Sequence, residues 1–222
     1  MKLLKWMSTA VVMSTALQSG YTVAAPSNDN KDFSYYALVL SWSPDFCATN
    51  AKAANTTQCE IGRKYGFVLH GLWPQHEKGY PETCSNEQIP NNMKQKCDVF
   101  PTVGLCHHEW KKHGTCSGLN AAGYLDLSAQ LKNTVVIPDH FKSPETTVRT
   151  SVEQFKADFV AKNAGFSNDS IAPYCSGSGR FLKEVFFCYD KNSKPRACSA
   201  EVLHRSSKSC AQKDGFVIRN VR

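Results

Sequence analysis

Two spacings of apolar residues run along the chain, and each predicts its own kind of element. "SYYALVLSW" (34–42) is a run of β-formers that stops at Ser43-Pro44, the pattern of a largely buried strand. "YGFVLH" (65–70) alternates: Tyr65, Phe67 and Leu69 face one way, Gly66, Val68 and His70 the other, and Gly71 and Pro74 punctuate its end. "FLKEVFFCYD" (181–190) and "FVIRN" (216–220) read as two further strands. Helical spacing recurs at 86–97, 103–113, 120–132 and 151–163; in the last, Val152, Phe155 and Phe159 share a face, and Ser151 with Gln154 has capping-box spacing. Strands at both ends with helices between them predict an α+β domain, a central antiparallel sheet with helices packed around it.

The N-terminus departs from this pattern. Lys2 and Lys5 precede a mostly apolar run from Trp6 to Leu17, and "TVAAPS" follows with small residues at Val23 and Ala25. That is the layout of a signal peptide over residues 1–25, with the folded domain expected over 26–222. The run is well short of the ~20 apolar residues of a bilayer span, so no membrane attachment is expected after cleavage. All ten cysteines lie beyond it, and an even count in an exported chain implies a disulfide framework. Ten cysteines allow about 945 pairings, and spacing alone does not choose among them. A formal charge of +7 over the whole chain suits a polyanionic partner without demanding one.

Chemistry concentrates in "CHHEWKKHGTC" (106–116). On a helix advancing about 100° per residue, His108, Glu109, Lys112 and His113 share a face no wider than about 140°. Trp110 then points the other way, toward a core, and Gly114 is placed to stop the helix. Zinc fits this face poorly. The peptidase motif needs histidines at i and i+4, whereas His108 and His113 are five apart, and Lys112 would set a positive charge beside the ion. No metal ligand and no cofactor is assigned.

Phosphoryl transfer fits better. Cleaving RNA through its own 2′-hydroxyl needs a base for that proton, an acid for the departing 5′-oxygen and cations for the charge on phosphorus. Two imidazoles in opposite protonation states serve the first two needs, and a lysine the third. The helix face lacks a separate acid, and "FVLHGLWPQ" (67–75) offers one in His70, with Gly71 permitting a close approach and Trp73 a stacking plane. Taken alone, His70 beside Trp73 reads equally well as a core pair.

"HGLWP" (70–74) and "HEWKKHGTC" (108–116), in this order and at this spacing, resemble the two active-site segments of the ribonuclease T2 family of secreted ribonucleases. The resemblance implies an endoribonuclease that cuts single-stranded RNA by transphosphorylation through a 2′,3′-cyclic phosphate to 3′-phosphate products, without metal. It implies His113 as general base, His70 as general acid, and His108, Glu109 and Lys112 as groups that bind the phosphate and stabilise the transition state. Trp73 would stack a base and Tyr80 form a second wall. Gln75 stands where some relatives carry an acid, so broad base specificity is expected. The requirement for a 2′-hydroxyl excludes DNA.

The resemblance also favours Cys84–Cys116, Cys175–Cys210 and Cys188–Cys198, leaving Cys47–Cys59 and Cys97–Cys106. A periplasmic or secreted monomer is expected, with RNA as its partner. Asn55-Thr56-Thr57 and Asn168-Asp169-Ser170 are sequons on expected surface loops, and His140 and His204 have no chemical company. A non-catalytic RNA-binding protein of the same fold and a secreted zinc hydrolase are the competing readings.

Overall fold

The computed structural model describes residues 32–51 and 56–221. The signal peptide expected at 1–25 and the sequon asparagine Asn55 lie outside the described residues.

A six-stranded sheet forms the centre. Strands β1 (Tyr35–Trp42), β2 (Phe67–Gln75), β3 (Val148–Thr150), β5 (Phe181–Tyr189) and β6 (Phe216–Ile218) run in the order β2-β1-β5-β6-β3, and β4 (Ile171–Ser176) pairs with β5 off that path. Every pairing is antiparallel except the single parallel contact Phe181↔Val217 between β5 and β6. Around the sheet lie helices α1 (Ser43–Thr49), α2 (Val103–Lys112), α3 (Ala121–Thr134), α4 (Asp139–Lys142), α5 (Val152–Lys162) and α6 (Ala200–Ser209). This is the α+β architecture that the order of elements predicts.

The sheet separates two apolar layers. On one face Leu38, Leu40, Trp42, Leu69, Leu72 and Phe187 meet the helices, with Phe155 and Phe159 of α5 fully buried against them. On the other, Tyr35, Ala37, Val39, Ala172, Phe186 and Cys188 form a smaller cluster that Trp73 covers. The second face also carries Glu184, two residues before Phe186 on β5. Five disulfides join Cys47–Cys59, Cys84–Cys116, Cys97–Cys106, Cys175–Cys210 and Cys188–Cys198.

Three local expectations need correction. The helix expected over 86–97 does not form; a 3-10 segment runs over Asn91–Val99 instead. Pro90 is its cap, and a proline drives the residue before it out of helical backbone, so no helix crosses Ile89-Pro90. Strand β2 does not stop at His70 but runs on through Gly71 and Pro74 to Gln75. It is an edge strand, where the N–H that proline lacks can face away from the ladder. Gly114 does stand just past the His113 cap of α2, which stops at Lys112, but it does not end the helix by a left-handed turn. Its backbone is not in the left-handed region, and a Cβ there would lie 2.3 Å from the Trp110 ring, so this glycine serves packing. At Ser151, the hydroxyl accepts from the Gln154 N–H while the Gln154 amide turns forward to Asp158.

Candidate active site

Helix α2 begins where the Thr102 hydroxyl accepts from the Leu105 N–H, satisfying one of the first turn's free donors. Trp110 faces the core, its indole N–H donating to the Glu87 carbonyl at 2.8 Å. That anchor sets the rotation of the helix. Glu109 and His113 are thereby buried toward the sheet, Lys112 is half-buried and His108 exposed. The Cys84–Cys116 bridge and two hydrogen bonds, Thr83 N–H to the Lys112 carbonyl and Cys84 N–H to Thr115 Oγ1, tie the 80–84 segment to the end of α2.

His70 reaches the same place through a bulge. In the β1–β2 ladder Val39 faces Gly71 and Leu40 faces Leu69, which leaves His70 unpaired. A bulge sets two successive residues against one partner and redirects the strand locally. Leu69 and Leu72 keep to the main core, while His70 and Trp73 come to the α2 side. Gly71 makes room beside them. A Cβ there would lie 2.1 Å from Glu109 Oε2 and 2.4 Å from Trp73 Nε1, so only a residue without a side chain lets the carboxylate approach.

Trp73 is the hub of the assembled site. Its indole N–H donates to Glu109 Oε2 at 2.6 Å. Its ring stacks on His113, with centroids 4.8 Å apart and planes 22° from parallel, and meets His70 edge-on at 5.0 Å. Two imidazoles from segments far apart in the chain thus flank one indole. His70 Nε2 lies 3.7 Å from Glu109 Oε1, and His70 Nδ1 lies 3.1 Å from Glu184 Oε2 on β5. Tyr80, 42% exposed, approaches His113 at 5.8 Å, and Lys112 stands over its ring and 3.6 Å from Glu82. Gln75 is brought to the same strand but not into the open: it is buried, and its amide donates to the Pro74 carbonyl. A cavity of about 310 Å³ opens beside His70, lined in part by Phe46, Val68, Leu105, Lys183 and Glu184.

The electrostatics sort the groups. Burial, then the charges of Lys112, His70 and His108, push the His113 imidazole down to about 3, so it stands neutral. Its Nδ1 is buried with no hydrogen-bond partner among the described residues. Burial draws the Glu109 carboxyl above the ordinary range against the opposing pull of His70, the Trp73 N–H and Lys112. At Glu184 burial also pushes upward, but the hydrogen bond and charge of His70, with Lys183, outweigh it and hold the carboxyl low. Glu184 is the site residue that the sequence reading missed. Its only signal was an acidic residue inside an apolar strand pattern, and nothing local said what it would meet.

Cys106 and Cys116 are in disulfides, which removes them as metal ligands. Among the described residues no group of three or more His, Cys, Asp or Glu is arranged to hold a metal ion.

The comparisons with known proteins agree with one another. The family model described as the ribonuclease T2 family matches residues 33–198. A ribonuclease of Aeromonas hydrophila is 37% identical over 198 residues, covering 86% of this chain and 87% of that one. A self-incompatibility-associated RNase of Nicotiana alata superposes with a TM-score of 0.64 at 19% identity, covering 86% of this chain and 100% of that chain. A variant of RNase MC1, solved with 5′-UMP, gives 0.59 at 23% identity over 73% of this chain and 90% of that one. By the matched model and the Aeromonas relative, this chain belongs to the ribonuclease T2 family.

Proposed function

We propose that this T2-type endoribonuclease cuts single-stranded RNA without metal, with His113 and His70 as its acid–base pair. The observation that carries the reading is the meeting of the two imidazoles around Trp73, with the Glu109 carboxylate against both the indole and His70. His113 takes the proton of the 2′-hydroxyl, whose oxygen attacks phosphorus. The bond to the 5′-oxygen breaks as His70 Nε2 donates its proton to that oxygen, leaving a 2′,3′-cyclic phosphate. In the second stage the roles reverse. His70 takes a proton from water, whose oxygen opens the ring, and His113 returns a proton to the 2′-oxygen, leaving a 3′-phosphate.

The surroundings support these roles. A base must be unprotonated, and burial keeps His113 so. Docking a phosphate anion beside it raises its proton affinity at the moment it must accept. Lys112 supplies positive charge and the exposed His108 a ring that can hydrogen-bond phosphate, and Glu109 braces His70 and Trp73. Because the acid stands at the leaving oxygen, the departing nucleoside occupies the cavity beside His70. Tyr80 offers an exposed ring for the base 5′ to the cut, beside His113, on which Trp73 stacks. The Gln75 amide is turned inward and does not itself read the base edge, which supports broad specificity.

RNA is the partner on this reading, and DNA is not cut because it lacks the attacking hydroxyl. Ten cysteines and the N-terminal apolar run support export to the periplasm or beyond. The test is a dinucleotide digest followed by product analysis. A 2′,3′-cyclic phosphate should accumulate, a chelator should change nothing, and His70→Phe or His113→Phe should cut the rate by about 10²–10⁴-fold. Direct formation of 3′-phosphate, or intact cleavage in either variant, would overturn the assignment.

A further inference from the structure

Glu184 sits on β5, paired on both sides, opposite Ser41 of β1 and Tyr174 of β4. It is only 7% exposed, on the sheet face that also carries Phe186, and a carboxylate is costly to bury there unless it is paired. Both of its oxygens are engaged. Oε2 lies 3.1 Å from His70 Nδ1, and Oε1 lies 3.4 Å from Lys183 Nζ. The contact with Lys183, a half-exposed side chain, fixes the rotation of the carboxylate but does not require burial. The contact with His70 has a chemical consequence.

A neutral imidazole exists as two tautomers, and the partner of one ring nitrogen decides which is present. An ionised carboxylate can only accept, so the proton between Glu184 and His70 belongs to Nδ1. Nε2 is then the nitrogen that gains and loses the working proton, and it is the one facing Glu109. The proposed reaction asks His70 to give a proton in its first stage and take one in its second. It must present the same nitrogen both times. From this geometry we infer that Glu184 is a positioning residue, whose carboxylate holds His70 in the Nδ1–H form so that Nε2 faces the scissile bond in both stages. Neither the bulge nor the edge-on contact with Trp73 distinguishes the ring nitrogens; Glu109 Oε1, 3.7 Å from Nε2, is beyond hydrogen-bond reach, whereas Glu184 is within it at 3.1 Å. The inference rests on the acid–base reading above.

Two variants of nearly equal volume separate this role from simple packing. Glu184→Gln keeps a carbonyl oxygen that can accept from Nδ1–H, whereas Glu184→Met fills the space with no comparable acceptor. His70→Phe serves as reference. Expected for Glu184→Met is a kcat lower by about 10²-fold with KM within about threefold, while Glu184→Gln recovers to within about tenfold of the parent. Nitrogen-15 NMR of the His70 ring, at a pH where it is neutral, should show the Nδ1–H form in the parent and in Glu184→Gln. In Glu184→Met the Nε2–H form should enter. Equal kcat for the Gln and Met variants, or an unchanged tautomer in Glu184→Met, overturns the inference while leaving the histidine pair standing if His70→Phe is inactive. Full activity of His70→Phe overturns the histidine pair itself, and the inference with it.

Discussion

Adding one methyl group at Gly71 tests whether the site is assembled as described. Gly71→Ala places a Cβ 2.1 Å from Glu109 Oε2 and 2.4 Å from Trp73 Nε1, where ordinary contact begins near 3.4 Å. Something must retreat by ~1 Å, and Glu109 is 1% exposed and held to Trp73 by a 2.6 Å hydrogen bond. Gly71 does not have positive φ, so alanine meets no left-handed strain there. On chain entropy alone the change would stabilise the fold by about 0.4–1 kcal/mol. Overpacking a closed site costs about 1–3 kcal/mol. The second effect should win, for a net loss of about 1–2 kcal/mol in urea unfolding. Displacing Glu109 also moves the groups it braces, and a 1 Å misplacement costs about 10²-fold in rate. Urea midpoints and initial rates on a dinucleotide measure both effects. A variant as stable as the parent, with kcat/KM within threefold, would refute the close approach of Glu109 to the strand.

Two further outcomes are expected. His113 has a folded value of about 3 against an ordinary 6.5, so the unfolded chain binds the proton first; its contribution is complete above about pH 6.5 and is lost as pH falls toward 3. At about 1.4 kcal/mol per unit, the parent should lose ~3 kcal/mol more than His113→Phe between pH 7 and about pH 4, and parallel losses in urea unfolding would contradict the burial of a neutral ring. Asp45 is fully buried, accepting from Arg219 Nε at 2.9 Å and from Ser176 Oγ at 2.7 Å. Asp45→Ala should destabilise by about 3 kcal/mol with kcat unchanged, and an unaltered melting temperature would show the pair to be dispensable.

Much of this was legible along the chain because helix faces and buried strands are local patterns. Spacing alone puts His108, Glu109 and Lys112 on α2 with His113 at its cap, sends Trp110 to the core and pairs Phe155 with Phe159. The expected helix at 86–97 does not form because the local veto of Pro90 outweighs the apolar spacing. The punctuation at Gly71 and Pro74 misled because their tolerance depends on β2 being an edge strand, which is a property of the sheet.

What the sequence determined by itself is the kind of chemistry: two histidine-bearing segments, their companions and a cysteine-rich domain. Only the tertiary structure decided which carboxylates meet His70, at which ring nitrogen each stands, and which cysteines join. The bulge at His70, the space above Gly71 and the reach of Glu184 all depend on register between strands distant in sequence. Periodicity reports which way a side chain points, because backbone geometry sets that locally; what it meets there is set by the long-range packing of the whole domain.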